Sequence, residues 1–237
     1  MKKVLGLAIS FCMFFGTVFA KGVYDGDIQL HLGLGLDSAK AVADFGLGKY
    51  TLEAGSTTVD FELSTWHLFD VNDLIGVGFN LGFSGGIGKT SKMVMTQEVD
   101  GRTLSSVSMS SDMLGFAGHF NGLIGPAVGF TLNDVIKFDL AVGLAYGFDL
   151  YSYAYEYETE YSRVTRGDAC MIFGAGFGCD VQAKFFPKSV VSPVLGYRLS
   201  SIFSSEVISS NENSSSSHWD SVNYIANEIY LGVSFNW

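Results

Sequence analysis

Residues 136–150, "IKFDLAVGLAYGFDL", decide the fold because their side chains alternate in polarity without a break. One face carries only large apolar side chains: Ile136, Phe138, Leu140, Val142, Leu144, Tyr146, Phe148 and Leu150. The other face carries charged or small residues: Lys137, Asp139, Ala141, Gly143, Ala145, Gly147 and Asp149. Because side chains of a strand point alternately to its two faces, this period of two predicts a β-strand rather than a helix.

The same alternation recurs in seven other segments: 27–36, 57–68, 75–83, 114–132, 169–186, 190–203 and 224–237. Short turns are predicted at 69–74, 132–135 and 186–190, and longer polar connections at about 37–56, 88–112, 151–168 and 204–222. Short turns at one end and long loops at the other are typical of outer-membrane barrels. We therefore predict an all-β fold, an eight-stranded antiparallel up-and-down transmembrane β-barrel over residues 21–237. Two alternatives stay open: ten strands, if the 37–56 and 88–112 loops hide further hairpin pairing, and a soluble sandwich.

The first twenty residues are expected to be a secretory signal peptide. Lys2 and Lys3 precede an apolar stretch, and Val18 and Ala20 are placed as in a cleavage site; an N-terminal membrane anchor is the alternative. Without those two lysines, 12 basic residues face 24 acidic ones. Such a surface disfavours nucleic acid as a partner, because nucleic-acid binding relies on neutralising phosphates. We expect a bacterial outer-membrane location, reached by secretion across the inner membrane.

Charged side chains are expected inside the barrel, because a lysine or arginine on the lipid face costs ~2–4 kcal/mol at the midplane. The expected interior network comprises Asp60, Glu62, Lys137, Asp139, Asp180, Lys184, Arg198 and Glu228. Two pairs lie at similar heights, Arg198 with Glu228 and Asp139 with Lys184. Such a network is either a polar gate around a small pore or a plug whose charges are paired.

No group in the sequence predicts catalysis, a cofactor or a metal. The four histidines show no metal-ligand spacing, and the stretch "GFSGGIGKT" (82–90) has Phe83 where a phosphate-binding loop needs glycine. We therefore expect that the protein is not an enzyme.

The chain ends in an alternating segment whose apolar residues are Ile229, Leu231, Val233, Phe235 and Trp237. The last strand is expected to pair with the first, because a sheet in a membrane cannot leave an edge open. Trp237 is expected in an aromatic girdle at the periplasmic interface.

Two loops are candidates for surface interaction. One contains Tyr151, Tyr153, Tyr155, Tyr157 and Tyr161 among glutamates, and tyrosine-rich surfaces bind partners well. The other is the Ser-rich segment 204–220, whose composition needs no packed core.

The alternating strands, the N-terminal segment and the final "VSFNW" resemble small eight-stranded outer-membrane proteins of the OmpW/OmpX/OmpA-barrel type, and the acidic, Gly- and Phe-rich pattern looks most like the OmpW-like proteins described from treponemes. The resemblance implies an outer-membrane location, a C-terminal signal read by the outer-membrane assembly machinery, and a narrow lumen that admits small hydrophobic molecules. The polar lumen predicted here departs from a hydrophobic channel. Two functions therefore remain: passage or binding of small molecules, and a non-conducting structural or adhesion protein whose loops bind a host surface ligand. Outer-membrane lipid is an expected partner in both.

Overall fold

The computed structural model describes residues 24–44, 48–158, 163–209 and 216–237. Within these ranges, the side chains of the residues in 155–166, 204–206, 209 and 216–218 are not described. The expected signal peptide lies outside the described ranges. The described residues form nine strands: β1 (Tyr24–Asp44), β2 (Lys49–Asp70), β3 (Ile75–Val99), β4 (Arg102–Ser108), β5 (Leu114–Thr131), β6 (Ile136–Glu158), β7 (Arg163–Phe185), β8 (Val191–Ser209) and β9 (Ser216–Asn236). Among the described residues there is no helix long and apolar enough to cross a membrane.

Eight of these strands form a closed antiparallel ring in the order β1-β2-β3-β5-β6-β7-β8-β9. The ring closes where β9 pairs with β1, with Phe235 opposite Ile28 and Asn236 opposite Asp27. The Trp237 amide also donates a hydrogen bond to the Gly26 carbonyl at 3.1 Å. The predicted all-β, eight-stranded barrel is therefore confirmed, and so is the pairing of its last strand with its first.

The ninth strand, β4, forms a hairpin with the far end of β3, where Val94 lies opposite Ser108 and Val99 opposite Arg102. Asp100 and Gly101 make the turn with φ angles of 48° and 71°. Both angles are in the left-handed region that a two-residue hairpin turn of type I′ requires, and Asp-Gly is a favoured pair for it. The ring thus has eight strands, and the segment 88–112 holds the extra hairpin that the sequence left open.

The strands are longer than predicted at one end of the barrel. We call this the loop end, and the end with the short connections 71–74, 132–135 and 186–190 the turn end. At the loop end β1 and β2 stay paired up to Asp44 opposite Lys49, so that the described residues of 37–56 are mostly two paired strand ends, and not a long loop. β6 and β7 likewise pair up to Glu158 opposite Arg163.

The strands run on because their polarity pattern inverts instead of ending. On β1 the outward residues Ile28 to Leu36 are apolar, whereas Ser38 and Lys40, which also face outward, are polar. The inward side changes in the opposite sense, from Gln29 and Asp37 to buried alanines at 39, 41 and 43. The outward apolar stretch covers ~20 Å along the barrel axis at 3.3 Å per residue and a tilt of roughly 40°. This is about the height of a lipid-facing band, and beyond it the barrel has an apolar interior and a polar exterior.

One side chain is turned by an irregularity in the sheet. By the alternation of segment 114–132, Leu114 shares the outward face of its strand with Phe116 and Phe120. The pairing of β5 with β6 shifts register between Leu114 and Ala117. Because one extra residue reverses the face of every residue beyond it, Leu114 is buried inside the barrel while Phe116 and Phe120 stay outside.

Candidate functional site: the closed lumen

The inside of the barrel has two zones. The charged lumen occupies the part nearer the turn end and contains eight buried carboxylates: Asp27, Asp37, Asp60, Glu62, Asp139, Asp149, Asp180 and Glu228. Its buried bases are Lys137, Lys184, Arg198, His31 and His119. The apolar cap fills the loop end and is built from Leu52, Met93, Leu114, Tyr151, Ile172, Ile202, Trp219 and Tyr224 with small residues between them.

Arg198 lies at the centre of the charged lumen and links three strands. Its Nη2 atom forms ion pairs with Glu62 on β2 and with Asp180 Oδ2 on β7, the latter at 2.6 Å. The Tyr230 hydroxyl donates a hydrogen bond of 2.5 Å to the other oxygen of Asp180, and the Tyr230 ring stacks on His31. Glu228, the neighbour that the sequence paired with Arg198, lies opposite it in the sheet, but its Oε1 has no hydrogen-bond partner among the described residues.

Glycines make room for these long side chains. Gly82 faces the Arg198 guanidinium, and a Cβ built on it would lie 2.5 Å from Nη2. A Cβ on Gly33 would lie 2.6 Å from Glu228 Oε1. The small residues on the inward faces of the strands therefore leave the space that the long charged side chains occupy.

Two lysines neutralise the turn end of the lumen. Lys184 pairs with Asp27 on β1, and its Nζ is 3.2 Å from Asn236 Oδ1. Lys137 pairs with Asp25, and its Nζ is 3.6 Å from Asp139 Oδ1. Asp139 instead accepts a 3.0 Å hydrogen bond from Gln182. The expected pair of Asp139 with Lys184 is thus replaced by two pairs with β1.

A third group lies directly below the apolar cap. His119 Nδ1 is 2.9 Å from Asp37 Oδ2, and His119 Nε2 is 3.6 Å from Asp60 Oδ1. Together with Asn121, Arg198 and Glu228 these residues line a cavity of about 10 Å³. A cavity of this volume holds about one water molecule, so that the lumen is closed at this level.

The apolar cap closes the lumen a second time. Tyr151, Tyr224, Ile172 and Ile202 are all buried there, and the Tyr224 hydroxyl accepts a 2.9 Å hydrogen bond from Asn121 below it. Tyr151 was predicted as a surface-loop residue, and this prediction is wrong: its exposed fraction is 0%. β6 continues as a strand through this position, and Tyr151 is one of its odd-numbered residues, whose side chains point into the barrel.

The other tyrosines of that segment are placed in part. Tyr153 is half-buried against the apolar cap, and its hydroxyl donates a hydrogen bond of 3.3 Å to Asp168. Tyr155 and Tyr157 belong to β6, but their side chains lie outside the described part of the chain, as does the whole of Tyr161.

Ion pairs on the exterior of the loop end are exposed. Glu53 contacts Lys92 at 2.8 Å and Lys40 at 3.3 Å. The hydrogen bond from Lys92, and then that from Lys40, hold the pKa of Glu53 below its usual value. Because all three side chains are solvated, this cluster contributes little to stability.

The lipid-facing side is apolar around the ring. Outward residues exposed on it include Leu32, Phe61, Ile87, Leu144, Phe177, Leu195 and Leu231. Of the predicted C-terminal signal, Ile229, Leu231, Val233 and Phe235 all face outward, and Trp237 is exposed at the turn end. Tyr24, His67 and Phe79 form an aromatic stack near it, with 4.6 Å between the ring centroids of the last two. A closed barrel with an apolar exterior and an aromatic rim is a membrane-spanning β-barrel.

No family model and no curated protein matches this chain. Several solved outer-membrane barrels are similar to it at low identity. Ail, the attachment invasion locus protein of Yersinia pestis, solved with the heparin analogue sucrose octasulfate, is 12% identical over 90% of this chain and 99% of that one, with a TM-score of 0.40. OprG from Pseudomonas aeruginosa is 10% identical over 91% and 98% of the two chains, with a TM-score of 0.46. The neisserial surface protein NspA is 11% identical over 88% and 97%, with a TM-score of 0.34. The assignment of the fold therefore rests on the closed ring of paired strands in this chain.

Two carboxylates of the lumen were missing from the sequence prediction. Asp27 and Asp37 belong to the charged lumen, and their parity with Gln29 and His31 places them on the inward face of β1, whereas the alternation of 136–150 had already placed Asp149 on an inward face. His31 and His119 also lie in the lumen, and both contact carboxylates. No cluster of three or more His, Cys, Asp or Glu residues suited to a metal ion occurs in the described ranges.

Proposed function

We propose that this chain is an integral protein of the bacterial outer membrane that does not conduct and acts at the cell surface through the loop end of its barrel. The observation that carries this proposal is the double closure of the lumen, by the Arg198 group with its cavity of about 10 Å³ and by the apolar cap. The proposal assigns the protein no catalytic activity and no cofactor.

The apolar exterior supports a location in lipid, and the short turns support an orientation with the turn end in the periplasm. The terminal strand, ending in Phe235 and Trp237, is proposed to be read by the outer-membrane assembly machinery. The resemblance to OmpW-like proteins described from treponemes remains part of this proposal, as does binding of a host surface ligand.

Passage of small hydrophobic molecules is the competing function. It requires Arg198 to leave Glu62 and Asp180, and the rings of the apolar cap to separate. In such a narrow, water-poor space the two carboxylates would then be buried without a cation, which is costly. The structure therefore favours the non-conducting function over passage.

Single-channel current in planar bilayers tests the proposal. The wild type is expected to give no discrete openings, and Arg198→Ala alone is also expected to stay closed because the apolar cap remains. A triple variant should produce current, because it shortens side chains both in the Arg198 group and in the apolar cap. It combines Arg198→Ala with Tyr151→Ala and Tyr224→Ala. Discrete openings in the wild type would contradict the proposal and favour passage.

A further inference from the structure

Two hollows adjoin each other on the lipid-facing wall formed by β1, β2, β3 and β5. The hollow nearer the turn end has a volume of about 330 Å³ and is lined by Ile28, Thr65, His67, Leu81 and Trp237, together with Leu63, Ser64 and Phe83. The second, of about 460 Å³, is lined by Leu30, Phe61, Gly85 and Phe120, together with Leu63, Phe83 and the inward-facing residues His31, Glu62 and Ser84. Leu63 and Phe83 line both, so that the hollows form one apolar groove along the wall.

Gly85 creates the second hollow, although the backbone does not need glycine there. A Cβ built on it would meet nothing closer than the His119 carbonyl oxygen at 3.7 Å and Phe120 Cδ2 at 3.9 Å. Its neighbour Gly86 faces inward, where a Cβ would collide with Asp60. By contrast, a Cβ built on Gly118, which also faces outward, would lie 3.2 Å from the Phe116 ring. Gly85 therefore leaves a gap in the lipid-facing surface that neither packing nor backbone geometry explains.

The groove has one polar end and one apolar end. At the turn end lie the His67 ring, whose Nε2 is 3.1 Å from Thr65 Oγ1, and the exposed indole of Trp237. The Tyr24 hydroxyl contacts His67 Nδ1. Aromatic and histidine side chains of this kind belong at headgroup depth, where one end of a ring is apolar and the other is wet. Towards Gly85 and Phe120, the outward-facing side chains of the groove are apolar.

The length of the groove matches one leaflet. From His67 to Phe61 along β2 is roughly 20 Å, and at a tilt of roughly 40° this rises ~15 Å. Phe61 lies opposite Leu32, at the centre of the outward apolar stretch of ~20 Å, so that this rise covers half of that stretch and the interfacial layer beyond it. An acyl chain that begins at the aromatic rim would therefore reach Gly85 near the middle of the bilayer.

We propose that this groove is a binding site for one phospholipid of the leaflet on the turn side, with an acyl chain over Gly85 and the headgroup at His67 and Trp237. The lipid surrounds this wall in any case, and the groove gives one lipid molecule more apolar contact than a convex barrel surface provides. The groove is on the outer wall of the barrel and not in the lumen. The proposal of a lipid site therefore does not depend on whether the barrel conducts.

Native mass spectrometry in mild detergent with added 1-palmitoyl-2-oleoyl-phosphatidylethanolamine tests this site. The wild type is expected to retain one lipid saturably. Gly85→Leu fills the hollow and should bind about tenfold more weakly. Ala175→Leu, an outward substitution on β7, is the matched control and should bind like the wild type, since Ala175 is exposed on another wall. Folding of each variant is checked by the mobility shift of unboiled protein on gels.

Three results would overturn the site: no retained lipid in the wild type, equal retention in Gly85→Leu, or a two-copy species that Gly85→Leu abolishes. The last would make the groove an interface between two barrels. If Gly85→Leu does not fold, Gly85→Ala serves instead, because its methyl group has room and should still weaken binding measurably.

Discussion

Arg198 is the residue on which the closed lumen depends most. Its Nη2 atom pairs with both Glu62 and Asp180, and the side chain is itself buried. Burying an ion pair is close to neutral overall, whereas removing one partner leaves a charge that neither water nor a counter-ion compensates. The effect of a substitution at Arg198 should therefore depend on how many buried charges lose their counter-ion.

Arg198→Met is expected to destabilise the barrel by about 3–5 kcal/mol, because two buried carboxylates lose their cation. The temperature at which the compact band disappears on unboiled gels should fall by roughly 10 °C. Glu228→Gln, at the same height on the next strand, is the control and should leave that temperature unchanged or raise it. Combining Arg198→Met with Glu62→Gln and Asp180→Asn should recover most of the loss. A triple variant no more stable than Arg198→Met would show that the guanidinium is needed for its shape and not for its charge.

The sequence predicts which residues face the lumen better than it predicts their partners. Parity along a strand is a local property, so that Arg198, Lys184 and Asp180 are placed inside by alternation alone. The partners of Arg198 on β2 and of Lys184 on β1 lie across the lumen, and they depend on closure of the ring and on its diameter. Height on neighbouring strands therefore placed Glu228 opposite Arg198 as the structure has it, but it could not identify ion-pair partners on strands across the lumen.

Among the structural elements, β1 shows how one strand serves two environments. Its outward face is apolar from Ile28 to Leu36 and polar from Ser38 onwards, while its inward face changes in the opposite sense at Asp37. If only an apolar outward face is taken as the sign of a strand, β1 is predicted to end at Leu36. This is why the loop at 37–56 was predicted and why the apolar cap was not. The alanines at 39, 41 and 43 carried the missing signal, since they keep the period of two with the opposite face buried.

Leu32→Arg and Ser38→Arg compare the two parts of this strand on the same outward face. Leu32 lies at the centre of the apolar stretch, where arginine costs about 2–4 kcal/mol, whereas near the interface the cost is about 0–1 kcal/mol. The amount of heat-modifiable barrel in the outer-membrane fraction should fall sharply for Leu32→Arg and stay near the wild-type level for Ser38→Arg. Equal losses in both variants would mean that the lipid boundary does not lie between these residues.

At the scale of the whole molecule, the two cysteines of β7 report on both surfaces of the barrel. Cys170 is buried inside and Cys179 is half-buried, and both are free thiols. Nine positions along the strand separate them and place them on opposite faces, so that they cannot form a disulfide with each other.

A charged, membrane-impermeant maleimide is expected to label neither cysteine in intact outer membranes and both after boiling in detergent. The apolar cap keeps the reagent from Cys170, and the hydrocarbon keeps it from Cys179. A variant with Ser201→Cys on the outward face of β8 should behave like Cys179, whereas Ser38→Cys at the loop end should react at once. Rapid labelling of Cys170 in unboiled membranes would show that the loop end of the barrel opens.

The reversal of polarity along β1 has a consequence for the bilayer. A strand that changes its outward chemistry within two residues cannot slide along the membrane normal: sinking by one repeat would draw Lys40 towards the hydrocarbon, and rising would expose Leu36 to water. The molecule therefore has a fixed hydrophobic thickness, and in a thicker bilayer the lipid around it has to thin. Reconstitution in phosphatidylcholines of increasing acyl length should consequently slow its insertion once the hydrocarbon exceeds the apolar stretch of its strands.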